Sequence, residues 1–155
     1  RIPLIKRLDE ICKVRVYGRY WRRYGIWPML RSVGPYGYSL ICGGAKIILG
    51  SDIVSTVDGC WSNRLWITLG CGGFLLTNYV PGMEEIFTNR EHLVWYHDEE
   101  ECVALVREYL HKPDERERIA EQGYRLVHEH HTFHHFVDKV LALCNEYHLD
   151  NRCKE

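Results

Sequence analysis

The sequence contains no run of apolar residues approaching the ~20 needed to cross a bilayer, and no secretory apolar segment opens it. Its seven cysteines, Cys12, Cys42, Cys60, Cys71, Cys102, Cys144 and Cys153, include no C-x-x-C pair. An odd, widely spaced set of this kind fits free thiols in a reducing compartment rather than a disulfide scaffold. The glycine run Gly70–Gly73 is not followed by the Gly-Lys-Ser/Thr of a P-loop, and no H-E-x-x-H is formed. There is no internal repeat, low-complexity tract, zinc-finger spacing or RNP signature, so a nucleic-acid partner is not expected. A methionine start is missing too: the sequence begins at Arg1 in mid-pattern. The expectation is a soluble cytoplasmic chain, read as a piece of a longer protein.

What is present suffices for a core. At 155 residues and 46% hydrophobic, the chain has the size and composition of one globular domain. Aromatics at 12% argue against disorder. The near-balance of 20 basic and 21 acidic residues hides a polarity. Within 1–32, Arg1, Lys6, Arg7, Lys13, Arg15, Arg19, Arg22, Arg23 and Arg31 face only Asp9 and Glu10, and the remainder is acidic. Such a basic stretch suits phosphate-bearing partners.

Apolar spacing predicts a helix from Pro3 to Cys12 and a short strand over Val14–Tyr17 ending at Gly18. Residues 19–45, rich in aromatics, Gly and Pro, read as loops around a short helix or two. Lys46–Leu49 reads as a buried strand and 51–61 as a loop. Ser62 is a good N-cap for a helix to about Cys71, and the following glycines end it. Phe74–Thr77 is a wholly buried strand of the parallel-sheet type. Met83–Phe87 reads as a short helix and Leu93–Tyr96 as a strand. Helices follow from Asp98 to Leu110, from Pro113 to about His130, and from Thr132 along Phe133, Phe136, Val137, Val140, Leu141 and Cys144. The order predicts an α/β fold with a parallel sheet flanked by helices and a helical C-terminal tail over 113–147.

Ser62-Asn63-Arg64-Leu65, then Gly70-Cys71-Gly72-Gly73-Phe74-Leu75-Leu76-Thr77, then Pro81-Gly82-Met83-Glu84-Glu85-Ile86-Phe87 form an ordered series. With His92–Tyr96, the 98–110 helix, Pro113–Arg116 and His131-Thr132-Phe133, it resembles the C-terminal domain of two-domain, GT-B glycosyltransferases. The likeness is to the group-1-like branch that includes spore-maturation-type glycosyltransferases. It is strongest over 62–140 and looser over 1–61. It implies that 1–155 is one Rossmann-like domain, the donor-binding half of a hexosyltransferase-like enzyme. The N-terminal acceptor-binding domain would lie outside the sequence. The donor would be a nucleotide diphosphate sugar, bound at the carboxyl ends of the strands, the general place for ligands in open α/β sheets.

A helix opening at Ser62, Asn63 and Arg64 offers N–H groups, a hydroxyl, an amide and a guanidinium to a diphosphate. Lys46 would add charge. The Pro81-Gly82 turn permits close backbone approach, and Glu84 or Glu85 could accept hydrogen bonds from ribose or sugar hydroxyls. Cationic side chains make a metal or other cofactor unnecessary in this reading. A catalytic base cannot be assigned, and isolated-domain turnover is not expected.

One departure stands out. Many relatives carry a glutamate in the helix, four residues before the Cys-Gly, where this chain has Ile67; the acid eight residues earlier is Gly59 here. Glu84 or Glu85 could take its place, donor binding could be altered, or the domain could be inactive. The rival readings are a non-catalytic nucleotide- or sugar-binding module and a protein-interaction domain using the 113–147 tail. The crowded His128, His130, His131, His134 and His135 straddle a helix break, which disfavours a metal site.

Overall fold

The structure is a computed structural model that describes residues 1–30, 32–52 and 55–152, with side chains to 147. Cys153 lies outside the described residues. The elements run α1 (Ile2–Asp9), a 3₁₀ turn (Trp21–Tyr24), α2 (Pro35–Gly44), β1 (Ile48–Leu49), α3 (Asn63–Gly70), β2 (Leu75–Asn78), a second 3₁₀ turn (Met83–Glu85), β3 (Val94–Tyr96), α4 (Glu99–Leu110), α5 (Pro113–His130) and α6 (Phe133–Arg152). The three strands form a parallel sheet in the order β1-β2-β3, with Leu49 opposite Leu76 and Leu76 opposite Val94. This is the α/β architecture expected of a Rossmann-like half.

The sheet is buried on both faces, and side-chain alternation sorts each strand between two cores. Phe74, Leu76, Val94 and Tyr96 pack with Leu4 and Leu8 of α1 and with Cys102, Leu105, Val106 and Tyr109 of α4. Leu75, with the partly buried Ile48 and Trp95, joins Leu65 and Leu69 of α3, Val127 of α5, and Val80, Met83 and Phe87 of the following turn. This two-sided burial explains why the strands read as apolar runs. Helix α5 bridges both layers, since its Ile119 and Ala120 belong to the first core and Val127 to the second.

Local chemistry sets the helix starts. The Ser62 hydroxyl accepts the Arg64 N–H, and the Asp98 carboxylate accepts the Glu101 N–H at 2.8 Å. Three glutamates in the first turn of α4 meet the positive end of its dipole. Arg7 of α1 pairs in two-pronged fashion with Glu100 of α4, both contacts at 2.8 Å. That exposed bridge orients α1, while burial of Leu4 and Leu8 supplies most of the stabilisation.

One expectation changes. Val14–Tyr17 does not add a strand to the sheet. It makes an isolated parallel bridge between Tyr17 and Leu30, with the Met29 N–H donating to the Val16 carbonyl and the Gly18 N–H to the Leu30 carbonyl. Its partner segment carries Pro28, which has no N–H to extend a ladder. The expected C-terminal helix α6 forms, with Phe133, Phe136, Leu141 and Leu143 exposed. The short helix at Met83 is a single 3₁₀ turn, and the six described cysteines are unpaired.

The α3–α5 contact is tightest at Gly123, where a Cβ would strike the His92 carbonyl oxygen and lie 2.9 Å from Leu69. Gly123→Ala should therefore destabilise the fold by about 1–3 kcal/mol despite its better helix propensity. Urea unfolding checks this, and an unchanged or raised midpoint would contradict so close an approach.

Candidate functional site

The ends of β1 and β2 meet the start of α3 at the carboxyl edge of the sheet. After β1 the chain passes through Gly50 and Ser51 to Asp52, and β2 ends at Asn78. The Asp52 N–H donates to Asn78 Oδ1 at 2.6 Å, and Asp52 Oδ1 accepts the Ser62 N–H at 3.2 Å. This chain of side-chain bonds fixes the start of α3 against the ends of β1 and β2. A second clasp comes from the loop before α3: the Gly59 N–H donates to the Pro81 carbonyl at 3.0 Å. Gly82 adopts φ +87° and leaves no room for a Cβ beside the Asp58 carboxylate. The group that approaches the Gly82 backbone in the folded chain is the Asp58 carboxylate.

The sequence-selected residues fall into two sets. Ser62, Asn63 and Arg64 come together at the start of α3, where the Arg64 Nε donates to Ser62 Oγ at 3.3 Å. Asn63 and Arg64 are exposed, and the terminal guanidinium nitrogens of Arg64 have no hydrogen-bond partner among the described residues. Gly82, Glu84 and Glu85 lie at the same edge of the sheet, beyond β2. Lys46 is placed differently. It precedes β1 at the strand's amino end, so the length of the strand separates it from Ser62. It shares with Arg64 only the flank of a long cleft.

That cleft, of about 830 Å³, runs along the free edge of β1 and is lined by Arg1, Lys46, Asp52, Ser62, Arg64 and Thr68 among others. Its far wall is Val14–Tyr17. The same failure of that segment to pair with β1 leaves the cleft open. Arg1 donates from Nε to Ser51 Oγ at 3.0 Å and from Nη2 to the Ser51 carbonyl, which brings a second guanidinium to the carboxyl end of β1. The buried Tyr96 hydroxyl donates to the Gly50 carbonyl at 3.1 Å and braces the same turn; burial pushes its pKa upward.

The two glutamates differ. The Tyr79 hydroxyl donates to both Glu84 oxygens, at 2.9 and 3.0 Å. Backbone N–H donation first, from its own amide, and Tyr79 second hold the Glu84 carboxyl below the usual carboxylate range. The same pairing raises the Tyr79 hydroxyl. Glu84 is thus an ionised acceptor already oriented by the ring of Tyr79, which itself packs against Trp95 and His97 at centroid distances of 5.8 and 4.9 Å. Glu85 is exposed and makes no side-chain hydrogen bond among the described residues.

Asp52, Asp58, Asn78 and Tyr79 were not selected from the sequence. The usable signal was their position, since each lies at or just past a strand end or in the loop before the α3 cap. Ile67, where relatives carry the helix glutamate, is 45% exposed one turn into α3. Asn63 and Ile67 are i,i+4 neighbours, so this outward face of α3 carries no carboxylate.

Comparison with protein families gives a match to the family described as glycosyl transferase-like, over residues 1–142. The chain belongs to the glycosyl transferase-like family. A search of curated proteins finds no match. Membership covers the sheet, the α3 start and the Pro81–Phe87 turn together, so the glycosyl transferase-like match and the carboxyl-edge geometry concern the same residues.

Three of the clustered histidines make contacts within the fold. The His128 Nε2 bonds the Gly70 carbonyl oxygen at 3.0 Å, His131 stacks on Trp66 at 5.0 Å, and His135 pairs with the Thr132 hydroxyl at 2.7 Å. Among the described residues no three His, Cys, Asp or Glu side chains converge as a metal site. No described helix is long and apolar enough to cross a membrane.

The Tyr79–Glu84 pair yields a direct check. Because the folded pKa of Glu84 is lowered, its contribution is present above the ordinary value of 4.5 and is lost as pH falls through the lowered one. Tyr79→Phe should raise the Glu84 titration midpoint, read by carboxyl carbon NMR, without restoring it fully, because the backbone donors remain. An unmoved midpoint would contradict the pairing.

Proposed function

We propose that this glycosyl transferase-like chain is the donor-binding half of a GT-B enzyme of the group-1-like, spore-maturation-type branch. It holds a nucleotide diphosphate sugar at the carboxyl edge of its sheet. The observation that supports the reading is the joint placement of the capped α3 start and the Gly82 turn at that edge, linked by the Asn78–Asp52–Ser62 hydrogen bonds and by the Gly59–Pro81 bond.

In this reading the diphosphate lies against the Asn63 amide, the Ser62 hydroxyl and the free face of the Arg64 guanidinium. The helix dipole adds to their charge. Asp52 is spent on the Ser62 N–H, so its negative charge is partly offset before a ligand arrives. Glu84, fixed by Tyr79, accepts from ribose or sugar hydroxyls; Glu85 is the second acceptor. Lys46 contributes only long-range charge, being at the other end of β1.

Transfer breaks the bond between the anomeric carbon and the β-phosphate oxygen, and the electron pair leaves with the nucleoside diphosphate. An acceptor hydroxyl forms the new bond and gives up its proton. Arg64 and the α3 amides stabilise charge developing on the leaving diphosphate, which is the term most worth preorganising. The acceptor and the proton's destination belong to a second domain across the cleft, and 1–155 by itself binds donor without efficient transfer.

Ile67 favours one alternative. An exposed apolar side chain in place of the helix glutamate suits a nucleotide-binding module that has lost transfer. Both readings require donor binding, and joining the chain to its acceptor domain separates them by turnover.

Calorimetric titration with uridine, guanosine and adenosine diphosphate sugars tests the shared step. Arg64→Ala should weaken the binding partner among them by roughly 10- to 150-fold, the size of a lost charge-assisted phosphate contact. Binding that survives the substitution unchanged would remove Arg64 from the site, and binding of none of the three would overturn the reading.

A further inference from the structure

From Ile11 to Ser51 the sequence contains no aspartate or glutamate, while Lys13, Arg15, Arg19, Arg22, Arg23, Arg31 and Lys46 fall within it. Its most exposed part is the loop 18–30, on the far side of the clasp formed by Tyr17 and Leu30. Trp27 is 75% exposed, Met29 55% and Leu30 54%, with Tyr20 and Tyr24 also in solvent. Arg19, Arg22 and Arg23 edge a shallow hollow of about 430 Å³ beside Gly18, Tyr20 and Pro28.

We propose that the loop 18–30 docks on an anionic membrane surface, its three arginines on lipid phosphates and carboxylates and Trp27, Met29 and Leu30 in the interfacial layer.

The loop is built to present these side chains. Backbone bonds from Met29 to Val16 and from Gly18 to Leu30 close its base, and the Trp21 Nε1 donates to the Tyr17 carbonyl at 3.1 Å. The 3₁₀ turn Trp21–Tyr24 closes on Gly25 in the left-handed conformation. Little ordering remains to be done on binding, which lowers its cost. Contiguous apolar side chains left in water carry a standing cost, and here they sit beside positive charge with no acid in the segment. Trp and Tyr partition to the headgroup level of a bilayer, and each arginine near an anionic leaflet adds attraction of its own. An acidic leaflet satisfies both features at once.

A single-stranded nucleic acid would use such a patch differently, by stacking bases on open aromatic faces. Here the Arg22 guanidinium already covers Trp27 at 4.6 Å, and Arg23 covers Tyr20 at 5.1 Å. The neighbouring Met29 and Leu30 are aliphatic and offer no stacking surface. These contacts favour a lipid interface, independently of the donor site.

Co-sedimentation of the full chain with phosphatidylcholine vesicles, with or without about one-third phosphatidylserine, provides the test. Retention should require the anionic lipid and should fall as salt is raised. Replacing Arg19, Arg22 and Arg23 together by glutamine should weaken it on the order of a hundredfold. Trp27→Ser with Leu30→Ser should also weaken it, and an unchanged thermal midpoint for each variant keeps the readout on binding. Equal retention on both vesicle types, no retention on either, or full retention by the glutamine variant would overturn the proposal. So would a single-stranded oligonucleotide that binds the loop while anionic vesicles do not.

Discussion

The Asn78–Asp52–Ser62 hydrogen-bond chain is the constraint on which the rest of the site depends. Parallel strands by themselves place loops at their carboxyl ends but do not specify how those loops meet. Here one carboxylate and one amide do so. Asn78 captures the backbone just past β1 at 2.6 Å, and Asp52 then captures the residue that caps α3. The start of α3 is thereby positioned by β1 and β2 together. The Gly59–Pro81 bond and the Gly82–Asp58 approach bring the next loop to the same place. Burial of Leu75 and Leu76 on opposite faces holds the strand that carries this assembly.

Much of the fold was legible because its signals are local. Ser62 and Asp98 cap the helices they precede, and the apolar run at Phe74 is the strand that both layers cover. The misreading at Val14–Tyr17 has a physical cause. Alternation there is real, but strand pairing depends on a partner, and the partner contains Pro28. The exposed face of α6 is the converse case, a periodic apolar pattern that forms a helix without being buried. Within the site, Ser62, Arg64 and Gly82 were visible through capping and turn chemistry. Asp52, Asn78 and Tyr79 were not, because their bonds join residues that only the folded sheet brings together. Lys46, chosen for its charge, stands at the amino end of β1.

The charge asymmetry has a spatial meaning in the folded chain. Arg1 and Arg64 stand at the carboxyl end of β1, and the cationic loop 18–30 lies beyond the wall of the cleft. The acidic remainder is spent largely on helix starts and on bridges such as Arg7–Glu100 and Arg90–Glu108. Arg1, Lys46 and Arg64 are therefore left on the cleft side, a charge that would favour an anionic ligand.

Backbone amide shifts of the ¹⁵N-labelled chain, followed during titration with a nucleoside diphosphate, test the central claim most directly. The account predicts that the largest changes fall on Asp52, Ser62, Asn63 and Arg64 and extend to Gly82–Glu85, with Lys46 little moved. Changes centred on the amino ends of the strands or on loop 18–30, or a spectrum that does not move, would contradict it.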